Sequence, residues 1–196
     1  FFKTNKDMQG INNMTISSST LLVIPWICYP NILYFIICRN IKLLSFQLTV
    51  VLCIMARSLS LLAAGYWLKS NIFDIYGFLP ITDVGWVVGV PCMIYGQILN
   101  IGVFITLGMN GVYYGKEFGV LKNVKYHTGF PFSIISQPQY SGAIITIFGC
   151  MTVWGIKPDY TINYDLLILS TTAVCSYVFS IKVEDKYAVP QNYKIY

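Results

Sequence analysis

The sequence predicts an all-α integral membrane protein with four to five transmembrane helices, ending in a C-terminal helical hairpin. Three observations carry that prediction. Of 196 residues, 56% are hydrophobic and only 11% charged, whereas soluble domains carry roughly a quarter charged residues. The mean hydropathy is +0.61. Apolar runs near the ~18–20 residues needed to cross hydrocarbon recur along the chain.

Taken in order, residues 1–19 form a polar N-terminal segment, 20–187 a single membrane domain and 188–196 a C-terminal tail. The first apolar run, 20–38, is interrupted by Pro25 and Pro30, so it reads as a kinked crossing or a re-entrant element. The second, 43–68, holds Arg57. The third, 85–107, has no charge and is the cleanest span. Two shorter runs, 140–156 and 166–181, are joined by a segment with a Pro-Asp turn signal at Pro158 and Asp159, which gives the hairpin.

The net charge of +5 comes from Lys and Arg scattered among loops. With no basic stripe, nucleic acid is not an expected partner. The six cysteines lie in or beside the apolar runs, outside any C-x-x-C pair, and read as small packing residues. With one histidine in the chain, no metal site is expected. The loops alternate in sign. Arg39/Lys42 and Lys116/Lys122/Lys125 mark two positive loops; Lys69/Asp74/Asp83 and Lys157/Asp159/Asp165 mark two slightly negative ones. Five crossings put both positive loops and the C-terminus on one side, cytosolic or matrix by the positive-inside rule.

Several residue groups are candidates for a site. Gly111, Gly115 and Gly119 recur every four residues; on a helix they line one face, for close packing or for a cofactor. Phe130-Pro131-Phe132 breaks the chain ahead of Pro138, a natural first helical residue. Gln137, Pro138, Tyr140 and Gly142 then frame a helix N-terminus suited to a carboxylate or phosphate; an interfacial aromatic anchor is the competing reading. Glu184 and Asp185 follow the last span, as a solvated end or as carboxylates for hydroxyls or an amine. Glu117 and His127 are the candidate proton acceptors. Arg57 reads as lying towards the end of its span away from the positive face, snorkelling or paired with Asp74 or Asp83.

The series GVYYGKEFGVLK, then TGFPFSIISQPQYSGAIITIFGC, then VEDKY after the hairpin resembles the phospholipid N-methyltransferase family, the phosphatidylethanolamine enzymes in particular. The likeness runs from about Gly108 to Gly149 and on through Tyr187, with an approximate echo at Tyr29-Pro30-Asn31. It implies methyl transfer from S-adenosylmethionine to the amine of phosphatidylethanolamine or its mono- and dimethyl forms, at a membrane surface. The endoplasmic reticulum is the location implied, with a mitochondrial membrane as the alternative. The family's Gly-x-Gly maps onto Ile94 and Gly96, so only the second glycine is kept. Its paired acids map onto Glu184 and Asp185. The wider Arg-His-Pro-x-Tyr-x-Gly pattern maps onto residues 136–142, without the basic pair. The implied roles are ribose or amino-group binding by Glu184 and Asp185, carboxylate binding by the backbone from Gln137 to Gly142, and a roof made by Phe130, Pro131 and Phe132. Two alternatives stay open: a non-catalytic subunit of a larger membrane complex, or a related prenylcysteine carboxyl methyltransferase or sterol reductase.

Overall fold

The computed structural model describes residues 16–40, 43–79, 81–113, 115–116, 118–121 and 128–187. Among them all regular structure is helical, apart from one β-bridge between Ile156 and Ile162. The helices are α1 (Ser18–Arg39), α2 (Phe46–Tyr76), α3 (Gly85–Val112), α4 (Pro138–Trp154) and α5 (Tyr164–Tyr187). Four are long and apolar enough to cross a membrane. The fifth, α4, has 17 residues.

Each start has a local cause. The Ser17 hydroxyl accepts the Thr20 N–H at 3.2 Å, and the Ser45 hydroxyl accepts the Leu48 N–H at 3.3 Å. These are N-caps that satisfy otherwise orphaned donors. Pro138 opens α4, where its missing N–H costs nothing. The Asn163 side chain caps α5 through the Leu166 N–H at 3.2 Å.

Two of the five expected spans, those on α1 and α4, match to within two residues at each end. α3 and α5 start within two residues of expectation but run five and six residues further. α2 runs eight further, and three local expectations differ as well. Despite Pro25 and Pro30, α1 is one continuous 22-residue helix, so the re-entrant reading falls. α2 does not stop at Leu68; it widens into π turns over Lys69–Phe73 and runs on to Tyr76. The glycine repeat does not share a helix face. α3 is already broken at Gly108 (φ 65°, ψ 176°) and ends at Val112. Gly115 lies in the following turn, its N–H donating to the Asn110 carbonyl at 2.7 Å, and Gly119 adopts φ 72°. Glu184 and Asp185 ride on the last turns of α5 rather than past its end.

The helices pack as an arc in the order α2, α1, α5, α4, α3. α1 and α5 run parallel in a constant register. The Ser17 N–H donates to Asp165 at 3.2 Å, Ser176 meets the Cys28 sulfur at 3.4 Å, and Ser180 meets the buried Asn31 at 2.8 Å. Parallel ends bring the 77–84 and 155–163 connections to one face. At that face Val23, Trp67, Ile72, Val153, Trp154, Leu166 and Leu169 form a core that closes the bundle. The indole N–H groups of Trp67 and Trp154 are satisfied by the Thr20 hydroxyl (3.1 Å) and the Phe78 carbonyl (3.0 Å). α2 turns Thr49, Cys53, Ala56 and Ser60 inward, all buried; such small residues let membrane helices approach closely.

The tightest contact joins α3 to α4, and it is built from glycines. Gly89 lies opposite Gly149 and Gly96 opposite Gly142, each pair seven residues from the next along both helices. A Cβ at Gly96 would sit 2.5 Å from the Gly142 carbonyl oxygen, and one at Gly142 would sit 2.6 Å from that of Gly96. No side chain fits there. By contrast, Gly65 on α2 has nothing within 4 Å of a would-be Cβ. Gly96→Ala and Gly142→Ala are each expected to lower unfolding free energy in detergent by about 1–3 kcal/mol. Gly65→Ala is expected to be neutral or stabilising, by up to about 1 kcal/mol, because helix interiors favour Ala. An equal loss at all three positions would contradict the packing assigned to the glycine pairs.

Candidate functional site

Because α3 is pressed onto α4 and α2 onto α1, the two ends of the arc scarcely touch among the described residues. Between them lies a cavity of about 590 Å³, within the roughly 300–1,000 Å³ typical of small-molecule sites. Its floor is the Trp67, Leu166 and Leu169 side of the core. One wall is a stripe of α2 carrying Arg57, Leu61, Ala64, Gly65 and Leu68; the facing wall is Gln97, Asn100 and Phe104 of α3. Both stripes follow helical spacing. Leu61 remains 66% exposed, so the α2–α3 side is a lateral mouth facing the surroundings of the bundle.

The polar groups of this cavity centre on Arg57. Its Nη1 donates to the Tyr177 hydroxyl at 2.8 Å. Its guanidinium carbon lies 5.2 Å from the Tyr177 ring centre and 5.7 Å from that of Tyr34. Tyr140, on the first turn of α4, packs edge-on against Tyr177 with ring centres 6.2 Å apart. Across the cavity, Gln97 donates to the Thr146 hydroxyl at 2.9 Å, and Thr146 in turn to the Gly142 carbonyl at 2.8 Å.

Arg57 is therefore neither at a membrane edge nor paired with Asp74 or Asp83. It sits midway along the stretch Phe46–Leu68. Asp74 is paired instead with Lys69 at 3.3 Å. Placing an arginine at a helix centre in lipid costs about 2.5–3.5 kcal/mol on insertion scales. Two aromatic faces at ~0.5–2 kcal/mol each and one charge-assisted hydrogen bond of ~1.5–3 kcal/mol offset that cost. The cage houses the cation; it does not neutralise it.

Of the residues expected at the site, Tyr140 alone lines this cavity. Gly96 and Gly142 lie at the α3–α4 contact directly behind it. Ile94, in the place of the family's first glycine, points outward and is 56% exposed, so its bulk enters neither the contact nor the cavity. Gln137 and Pro138 form the start of α4, with Pro138 buried. Phe130 and Pro131 fold back onto α3 at Gly102, where a Cβ would meet the Phe130 ring at 2.7 Å. The Phe130 carbonyl accepts from the Thr106 hydroxyl at 3.3 Å, and the half-buried Phe132 belongs to the same turn. Glu184 is half-buried on α5 near Val183, which packs with Cys38, Phe35 and Phe118. Glu117, His127 and the Asp185 side chain lie outside the described residues. All six cysteines are free. Among the described residues no cluster of His, Cys, Asp or Glu could hold a metal.

The residues that sequence reasoning missed are Tyr34, Gln97, Asn100, Tyr113 and Tyr177, all lining the cavity. A signal for part of this set exists. Gln97, Asn100 and Phe104 fall at i, i+3 and i+7 of the otherwise apolar third span.

If Arg57 serves a ligand rather than the fold, an apolar residue of similar length should be tolerated. Arg57→Met is expected to leave unfolding free energy unchanged or to raise it by about 1–4 kcal/mol, as for other buried charges replaced by apolar groups. Tyr177→Phe, which strips the guanidinium of its hydrogen bond, is expected to cost about 1–3 kcal/mol. Detergent unfolding followed by circular dichroism decides. A large loss in Arg57→Met would make the cage a structural device.

No solved structure matches this chain. The chain is 38% identical over 96 residues to a phosphatidyl-N-methylethanolamine N-methyltransferase of Arabidopsis thaliana, covering 49% of this chain and 51% of that protein. It is 36% identical over 70 residues to the Saccharomyces cerevisiae protein of the same name (35% and 34%). It is 26% identical over 106 residues to human phosphatidylethanolamine N-methyltransferase (54% and 49%). The matched stretches thus span about half or less of these relatives' own lengths. The family model described as phospholipid methyltransferase matches residues 84–194, a stretch that takes in the α3–α4 glycine contact, the broken 129–137 segment and the hairpin. It covers more than half of the chain, and the chain belongs to the phospholipid methyltransferase family.

Proposed function

We propose that this protein transfers a methyl group from S-adenosylmethionine to the amine of phosphatidylethanolamine or its mono- or dimethyl form. The observation that carries the reading is the family match over 84–194 together with a cavity open sideways between α2 and α3. A charged, water-borne donor and a lipid acceptor have to meet at one place. A cleft between membrane helices with polar groups on both walls serves that need.

The donor's fit rests on the chain's own groups. The cavity has the volume for a small-molecule ligand, and the rings of Tyr34, Tyr140 and Tyr177 line it. Aromatic faces receive a sulfonium or a methylated ammonium at about 0.5–2 kcal/mol each. When bound, S-adenosylmethionine supplies an electrophilic methyl on a positively charged sulfur. The start of α4, Gln137 to Gly142, offers a helix N-terminus to the donor's carboxylate. Glu184 and Asp185, on the last turns of α5, are assigned to its ribose or amino group. Phe130, Pro131 and Phe132 cover the α3 side. Glu117 or His127 takes the amine proton. The work of the site is chiefly to hold two reactants in near-attack geometry, an effect worth up to ~7–11 kcal/mol.

The face carrying the positive loops is assigned to the cytosolic or matrix side, with the endoplasmic reticulum favoured by family.

The test is label transfer. The chain is reconstituted in vesicles holding phosphatidylethanolamine or its mono- or dimethyl form, with methyl-labelled donor outside. Label is expected in the lipid fraction, and Glu184→Ala is expected to weaken donor binding about tenfold or more, the cost of losing a charged hydrogen bond. Absence of label from all three lipids would remove the transferase assignment. Unchanged donor affinity in Glu184→Ala would remove that carboxylate from the site.

A further inference from the structure

We propose that Arg57 anchors a phosphodiester subsite: its guanidinium receives the phosphate of a phospholipid that enters the cavity sideways between α2 and α3. This rests on the reading above and assigns one part of the same substrate. Arg57 lies outside residues 84–194, so the family match does not bear on it.

The first argument is unbalanced charge. Guanidinium carries five N–H donors in a rigid fork and stays protonated. The structure gives the guanidinium only neutral partners, the phenols of Tyr177 (2.8 Å from Nη1) and Tyr34, and sets both ring faces against it. No carboxylate among the described residues lies within ion-pair distance of it. Arg57 also lines the cavity of about 590 Å³. A planar donor fork in a low-dielectric cavity is matched by an oxyanion, and Arg–phosphate pairs are often bidentate.

The second argument is position. Arg57 stands on α2, the helix that forms one jamb of the lateral mouth, directly above Leu61, Ala64, Gly65 and Leu68. Below it the cavity is walled by apolar side chains such as Ile27, Ile147, Leu166 and Leu169, suited to the first methylenes of acyl chains. The guanidinium also rests against Tyr34, five residues before the end of α1 at Arg39. At ~1.5 Å per residue Tyr34 stands roughly 8 Å from the positive end of α1, so the guanidinium lies in the half of the cavity nearer that face. Gly65, with open space where a side chain would project, leaves the mouth unobstructed.

The experiment reads lipid retention without methyl transfer. Wild type, Arg57→Gln, Arg57→Met, Arg57→Lys and Gly65→Phe are purified in neutral detergent holding equal phosphatidylethanolamine and diacylglycerol of the same acyl chains. Retained lipid is counted by native mass spectrometry, per folded protein. Wild type is expected to prefer the phospholipid about tenfold or more. Arg57→Gln and Arg57→Met should bring the ratio near one, while Arg57→Lys keeps a reduced preference as a point charge. Gly65→Phe should lower retention of both lipids at an unchanged ratio. A wild-type ratio in Arg57→Gln or Arg57→Met overturns the proposal. So does an unchanged lipid ratio with a tenfold loss of S-adenosylmethionine affinity, which would give the guanidinium to the donor's carboxylate. A wild type that retains phospholipid through Arg57 but transfers no methyl would sink the transferase reading and leave this subsite standing.

Discussion

A permanent positive charge held inside a hydrophobic bundle is the constraint around which this structure is arranged. Arg57 cannot lose its proton, and no acid of the spans neutralises it among the described residues. The chain meets that constraint with the rings and phenols of two tyrosines, drawn from α1 and α5, the next two helices along the arc from α2. Tyr34 comes from α1 and Tyr177 from α5, with Tyr140 of α4 braced against Tyr177. Three helices therefore converge on one guanidinium, and the space on its far side stays open.

That space exists because packing elsewhere is so close. The paired glycines of α3 and α4 bring two backbones into direct contact. α2 packs on α1 as well, and its buried residues include the small Thr49, Cys53, Ala56 and Ser60. The aromatic floor at one face, with both indoles hydrogen-bonded, joins the helices there, and a smaller cluster of Cys38, Val183, Phe35 and Phe118 joins α1 to α5 at the other. The gap between α2 and α3 is the geometric complement of those contacts, and it is where a membrane lipid has access.

Much of the fold was legible from hydropathy. Spans 20–38 and 140–156 lie on α1 and α4 to within two residues at each end, and 85–107 and 166–181 lie on α3 and α5, which run five and six residues further, because length and apolarity alone decide who crosses a bilayer. The errors have a common source: sequence does not reveal where a helix stops once its surroundings change. α2 runs past Leu68 through π turns to Tyr76, which leaves Arg57 in the interior of its helix, in the half nearer the positive loops, rather than at a span end. The break at Gly108 and the end of α3 at Val112 took Gly115 and Gly119 off the helix. The site was less legible still. A conspicuous series around Phe130 to Gly142 supplies the proposed roof and the start of α4, yet only Gln139 and Tyr140 of it line the cavity. Gln97 and Asn100 hide in a span whose average hydropathy is high, since averaging erases a two-residue polar stripe. Nothing in the linear sequence sets Tyr34 and Tyr177 apart from the chain's other tyrosines until the arc brings them together.

The most direct measurement is the distance between lipid phosphorus and the Arg57 guanidinium nitrogens in a bilayer, by phosphorus–nitrogen dipolar recoupling. The chain has only two arginines, Arg39 and Arg57, so arginine-labelled protein carrying Arg39→Lys reports on one site. The account predicts strong coupling from bound phosphatidylethanolamine, with phosphorus roughly 4 Å from the nearest nitrogen, as a bidentate charge-assisted pair requires. Coupling no greater than that of an arginine bathed in bulk lipid, with the protein folded and lipid bound, would contradict it.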